Sequence, residues 1–258
     1  MKQARQIIAA RAREIAVAQA AEHQAKLAAR AAQRDAGEKP HGPEPQPPSD
    51  VPDPKAQYNF TDPQSRIMKA SNGSHFEPAY NAPAVVDDAL LIVGPRVSAA
   101  PNDPQELVAS VAAISPVVAG DVQAVLADSG FYSAAAVQAV EQKSDGSPSG
   151  MSVYADVEKQ THHQTVAQLL PQPEPAALPQ TASPKETMAH RLQTSAGRTL
   201  YKLRKPTVEP VFGISKEVMG FRRCRLRGWA KVSLEWTRVC VSYNPKRLFT
   251  LKSLAGAR

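Results

Sequence analysis

Residues 201–223 read YKLRKPTVEPVFGISKEVMGFRR, a basic segment with Glu209 in its apolar middle. Glu209 lies seven residues before Lys216, nearly two helical turns, so a helix here puts both on one face. Tyr201 and Arg204, three apart, line up beside them if the helix begins that early. Pro206 and Pro210 leave the start open, because Pro210 costs a backbone hydrogen bond anywhere beyond the first turn. A carboxylate among cations has two readings. One is a salt bridge on a solvated face. The other is a divalent-metal ligand whose cationic neighbours grip phosphates, as in a two-metal polynucleotide enzyme, and there hard oxygen ligands favour Mg²⁺.

The charge around this stretch is uneven. Residues 185–258 hold 17 Lys and Arg against 4 Asp and Glu, whereas residues 1–184 hold 14 against 20, so the net +7 conceals a strongly basic C-terminal third. Such a surface suits a polyanion, because neutralised phosphates release counterions; the alternative is a solvated basic face with no particular partner. Two cysteines, Cys224 and Cys240, are too few for a disulfide framework or a zinc cluster and point to a reducing compartment. No apolar run approaches ~18 residues and no signal-type segment follows the opening Met-Lys, so a cytoplasmic protein with no membrane partner is expected.

Outward from there, residues 3–36 are rich in Ala, Gln, Arg and Glu with no Gly or Pro, which predicts a long helix. Its few larger apolar residues sustain no heptad, so an exposed arm is favoured over a coiled coil. Residues 37–56 form a Pro-rich linker too polar to order itself, and residues 170–183 a second Pro-rich loop. The packed portion of the chain is expected within residues 57–258. Residues 80–86 and 90–97, rich in Val, Ile and Leu and separated by Asp87 and Asp88, predict a β-hairpin. Asn102 or Asp103 then caps a helix running to about residue 114. The run 122–127 predicts a buried strand ending in Asp128, with a helix from residue 133 through 141, and residues 151–157 one more strand. A carboxylate at the C-terminal end of a strand is where α/β proteins place working groups, although a turn-forming Asp has the same local pattern. His162 and His163 are adjacent and point apart, a poor metal pair. Ser183-Pro184-Lys185-Glu186 has the form of a capping box and opens a helix expected to stop at Gly197. Val232, Trp236, Val239 and Tyr243 form one apolar helical stripe, read as core, with Pro245 ending or kinking that helix.

Taken together, Tyr201, Arg204, Glu209 and Lys216 resemble the YREK signature of bacterial insertion-sequence transposases of the DDE class, with one residue more than usual between Arg and Glu. Residues 57–252 resemble the C-terminal portion of that family through QYNFTDPQSRIMK, AYNAPAVVD, PNDPQEL, VLADSGFYS, TVEPVFGISKEVMGFRR and KVSLEWTRVCVSYNPKRLF. The resemblance implies an RNase H-like fold, a mixed sheet flanked by helices. It makes Asp128 and Glu209 the second and third catalytic carboxylates and ligands of a Mg²⁺ pair. Tyr201, Arg204, Lys216, Arg222 and Arg223 become contacts to the DNA of element ends, and intact transposase or a second copy a further partner. The family's first Asp lies in a DGTK-like strand with no counterpart here. Asp62 is the stand-in by chain order, although TDPQSR resembles a separate family motif. Pro83, Ser215 and Pro245 also depart from the pattern. The chain is therefore expected to be a truncated portion with little strand-cutting activity, or a non-catalytic DNA-binding remnant.

Overall fold

The computed structural model describes residues 2–35, 37, 39, 42–70, 73–100, 106–120, 122–143, 145–157, 173–179 and 181–256. They fall into two compact units, Met1–Pro63 and Gln64–Arg258.

The first unit is built on helix α1 (Lys2–Asp35). The described Pro-rich residues that follow form no helix or strand, and some bond back to α1. His23 Nε2 lies 3.1 Å from the Pro45 carbonyl and Arg30 donates to the Gly42 carbonyl at 2.9 Å. Arg11 donates to the Pro63 carbonyl, and its guanidinium stands 5.8 Å from the Tyr58 ring centroid.

The second unit mixes helices with three two-stranded sheets among the described residues. Strands β1 (Arg66–Lys69) and β2 (Phe76–Ala79) pair antiparallel, as do β3 (Ala84–Val86) and β4 (Ile92–Pro95), while β5 (Ala124–Ala127) and β6 (Ser152–Ala155) pair parallel. The β3–β4 pair is the hairpin expected over residues 80–97. Its turn is tightened by Asp87, whose carboxylate accepts the Leu91 N–H at 2.7 Å, and passes through a left-handed Leu90 at φ 64°. Pro83 lies just outside β3, and its carbonyl still accepts from Arg96, so the missing proline donor breaks no ladder bond.

Helices α2 (Glu106–Ala112), α3 (Pro116–Ala119) and α4 (Ala134–Glu141, preceded by an extended Ser133) follow in chain order; the proposed cap at Asn102 or Asp103 lies outside the described residues. Helix α5 (Pro184–Gln193) opens with the expected capping box: the Ser183 hydroxyl accepts the Glu186 N–H, and Glu186 accepts the Ser183 N–H at 2.7 Å. It ends at Gln193 rather than at Gly197. Thr194 turns extended, caps helix α6 (Ser195–Lys202) by accepting the Gly197 N–H at 3.0 Å, and donates to the Arg191 carbonyl at 2.8 Å. A second capping signal inside a run of helix formers has divided one expected helix into two.

Helix α7 (Arg204–Gly213) continues into a π turn over Ile214–Val218. Ser215 is buried there and its hydroxyl donates to the Val211 carbonyl at 2.9 Å, a back-bond that competes with the helical ladder and favours the wider turn. Of the two outcomes expected at Pro245, an end or a kink, the first does not occur: helix α8 (Trp229–Gly256) continues through it. The carbonyl that Pro245 leaves without a helical donor belongs to Val241, an exposed residue.

Two apolar clusters hold the second unit. One gathers Ile92, Val97, Val211, Val232, Trp236, Cys240 and Tyr243, so the predicted α8 stripe is core. Trp236 is stacked between Phe212 at 6.1 Å and Phe221 at 5.9 Å. The other joins Leu107, Ala127, Ala136, Val140, Val153, Ala155 and Met188 around the parallel β5–β6 pair.

Side chains also occupy strand backbones. Asn244 on α8 takes both polar groups of Ile92, each at 2.9 Å. The carboxylate of Glu141 accepts the Val153 N–H at 2.7 Å while Arg191, ion-paired with Glu141, donates to the Val153 carbonyl at 2.7 Å.

Candidate functional site

Asp128 is the residue after β5 and caps the 3₁₀ turn Ser129–Phe131, its Oδ1 accepting the Ser129 N–H at 2.8 Å. Its other oxygen, Oδ2, lies 3.6 Å from Arg204 Nη1; the aspartate side chain is 61% exposed and the arginine 19%. The chain reaches this point because α6 and α7 meet at Leu203, which places Tyr201 in the last turn of one helix and Arg204 at the start of the next. The Arg204 guanidinium stands 5.6 Å from the Tyr201 ring centroid, and the Tyr201 hydroxyl donates to the Ala127 carbonyl at 3.2 Å. Burial pushes the Tyr201 phenol above its ordinary pKa; Arg204 pulls it down, and the carboxylates of Asp156 and Asp128 add to the rise. Among the described residues Arg204 Nε is buried without a hydrogen-bond partner.

Three of the residues singled out in the sequence, Asp128, Tyr201 and Arg204, therefore meet at the C-terminal end of β5. The others described in the same unit do not join them. Glu209 is exposed on α7, with no side-chain partner among the described residues. Lys216 sits in the π turn with its ammonium 5.9 Å from the Phe212 ring centroid. Arg222 pairs with Glu217, an acid of the same stretch, and Arg223 is exposed. Asp62 belongs to the first unit and is buried. His162 and His163 lie outside the described residues.

Sequence reasoning passed over Asp156. It directly follows β6 as Asp128 follows β5, and the ladder pairs Ala127 with Ala155, so the two carboxylates leave neighbouring strands at the same end. The signal was there: a short apolar run, SVYA, followed by Asp, repeats the pattern of AVLA followed by Asp.

The arrangement does not fit a Mg²⁺ pair as it stands. Asp128 offers one oxygen to a backbone N–H and the other to a guanidinium, whose charge opposes a cation at that place. Among the described residues no group of three His, Cys, Asp or Glu side chains is placed to hold a metal. What the end of β5 presents is a guanidinium beside a phenol, shaped for anionic oxygen. Farther along, the irregular segment after the π turn carries Arg222, Arg223, Arg225 and Arg227, all exposed.

Comparison with curated proteins and with solved structures returned no match. Among the described residues no helix is long and apolar enough to cross a membrane. A family model described as the transposase DDE domain matches residues 173–249, which contain α5, α6, α7, the π turn and most of α8, and with them Tyr201, Arg204, Glu209 and Lys216. Over that segment, less than half of the chain, the sequence is similar to the transposase DDE domain.

Proposed function

We propose that the chain binds DNA through its basic C-terminal third as part of a DDE transposase of RNase H-like ancestry, and that its own strand-cutting activity is low. The observation that carries the second clause is the engagement of both Asp128 oxygens, by the Ser129 N–H and by Arg204. In DNA transposition a divalent metal, Mg²⁺ where Asp128 and Glu209 held it, would supply activation of the attacking oxygen and stabilisation of the leaving one. Tyr201 and Arg204 orient at the end of β5, where a phosphate would displace the Asp128 carboxylate from the guanidinium. A second reading, a cleaving enzyme in which Asp128 and Glu209 hold the metal, is favoured by the family match that includes Glu209.

Binding and cleavage of insertion-element-end DNA separate the two. The expected result is salt-sensitive binding that persists in EDTA, with at most trace nicking in Mg²⁺ or Mn²⁺. Robust nicking abolished by Asp128→Asn and by Glu209→Gln establishes the second reading instead. Robust nicking that survives both substitutions removes these residues from the chemistry.

A further inference from the structure

The segment between the π turn and α8 reads GFRRCRLRG, residues 220–228. Its two ends are left-handed glycines, Gly220 at φ 69° and Gly228 at φ 84°, which let the chain turn sharply away from the helices and back. Between them the side chains sort by chemistry. Phe221 stacks on Trp236 and Cys224 packs against the same cluster, three residues apart. Arg222, Arg223, Arg225 and Arg227 are exposed.

One carboxylate fixes the conformation. Glu235, on α8, accepts the Arg225 N–H with both oxygens at 3.0 Å and the Leu226 N–H at 3.0 Å. It therefore spends its charge on loop backbone rather than on an arginine side chain. Arg222 is tied to Glu217, whereas the side chains of Arg223, Arg225 and Arg227 have no acidic partner among the described residues. At the exit, the Trp229 N–H donates to Gln64 at 2.9 Å and its indole N–H to the Val97 carbonyl at 3.3 Å, anchoring the loop to the rest of the unit.

We propose that residues 223–227 form a preorganised contact for the phosphate backbone of double-stranded DNA, with Arg223, Arg225 and Arg227 as the contacting groups and Glu235 as their positioning residue. The inference rests on the DNA-binding reading above and adds the surface that does the gripping. Three unpaired guanidiniums on a short loop lose little conformational freedom on meeting phosphates, since the backbone that carries them is already held. The occupant follows from charge: the loop lies within the residue 185–258 third, with its 17 Lys and Arg against 4 Asp and Glu, and within the DDE-domain match. Contacts to phosphate fix position and carry no sequence information, so a grip of this kind is independent of sequence.

The test is fluorescence anisotropy of the full chain with a mixed-sequence DNA duplex in EDTA, titrated over a range of salt. Each phosphate contact contributes about 0.9 to the slope of log affinity against log salt. The triple variant Arg223→Ala, Arg225→Ala, Arg227→Ala is expected to lower that slope by about 2 to 3. A control triple, Lys2→Ala, Arg5→Ala, Arg13→Ala on α1, removes the same charge and is expected to lower it by less than about 1. Glu235→Ala gives a test of sign. It adds one unit of net positive charge, so a diffuse charge cloud predicts tighter binding, whereas loss of the positioned loop weakens it. Equal losses in the two triples, or tighter binding by Glu235→Ala, overturn the proposal. So does stronger binding to phosphatidylserine vesicles than to DNA. Wild-type chain that fails to bind DNA brings down the DNA-binding reading and this one with it, whereas wild-type binding left intact by the arginine triple sinks this proposal alone. Metal-free conditions keep both outcomes separate from any failure to cleave.

Discussion

At the residue scale, Tyr201 and Asp128 sit in the same small site and carry different weights. The Tyr201 hydroxyl reaches the Ala127 carbonyl from a half-buried ring, so its removal costs a hydrogen bond in a partly dry setting. Tyr201→Phe is expected to lower unfolding stability by about 1 kcal/mol in urea denaturation. Asp128 is 61% exposed and its contact with Arg204 is 3.6 Å long, so water screens most of the attraction. Asp128→Asn is therefore expected to change stability by less than about 0.5 kcal/mol. A stability loss from Asp128→Asn larger than that from Tyr201→Phe would show that the pair is buried in solution. The same asymmetry makes Asp128 a clean probe of function, because a change in DNA handling by its asparagine variant reports chemistry rather than unfolding.

At the scale of elements, two devices set the architecture, and only some of their parts are legible in the sequence. The hairpin, the strand before Asp128, the capping box at Ser183 and the α8 stripe all follow from local periodicity and capping chemistry, and the structure has each of them. The division at Thr194 was hidden because a threonine inside a helical run looks like a tolerated residue until its hydroxyl is seen bonding Gly197 and Arg191. Gly197 is the consequence: a Cβ there would come within 1.9 Å of the Arg191 carbonyl oxygen. Gly197→Ala, which helix propensity alone would favour by about 1 kcal/mol, is expected instead to destabilise by about 1 to 3 kcal/mol. Thermal unfolding reads the sign directly. The second device is Asn244, which lies 152 residues from Ile92 in sequence and takes both its backbone groups, a pairing no local pattern announces. Asn244→Leu strands two strand groups and is expected to cost about 2 kcal/mol. Asn244→Asp, which keeps an acceptor but loses the donor, should fall between wild type and leucine in urea midpoint.

On the scale of the whole molecule, several ionisable groups respond to burial in one direction. Burial pushes the Cys240 thiol up to about 12 and raises Cys224, Tyr201, Tyr243 and Tyr132 as well. Each is raised above its unfolded value, so the folded chain holds protons that the unfolded chain releases. The associated stability is complete below about pH 9 and declines as pH climbs toward the folded values. For Cys240 alone the decline approaches ~1.4 kcal/mol per pH unit between 9 and 12. Urea midpoints measured at pH 7, 9 and 10 should fall over the last step, and Cys240→Ala should flatten that fall. A midpoint that stays level to pH 10 would place the thiol in contact with water. At this scale the sequence was least informative about the site. Glu209 and Lys216 share a face of an ideal helix, but the π turn alters the angular step before Lys216, and Lys216 lies over Phe212. Asp156 escaped notice because its importance comes from the register of a parallel pair whose strands lie 28 positions apart in the ladder, Ala127 opposite Ala155.

The chain has two tryptophans. Trp236 is buried between two phenylalanine rings, whereas Trp229 is 48% exposed at the foot of the arginine loop. The molecule thus carries two optical reporters in unlike surroundings. The blue-shifted emission of Trp236 should resist acrylamide and change only when the core opens. Trp229 should be quenched freely and protected when a polyanion covers the loop, so one unlabelled sample can follow folding and docking separately.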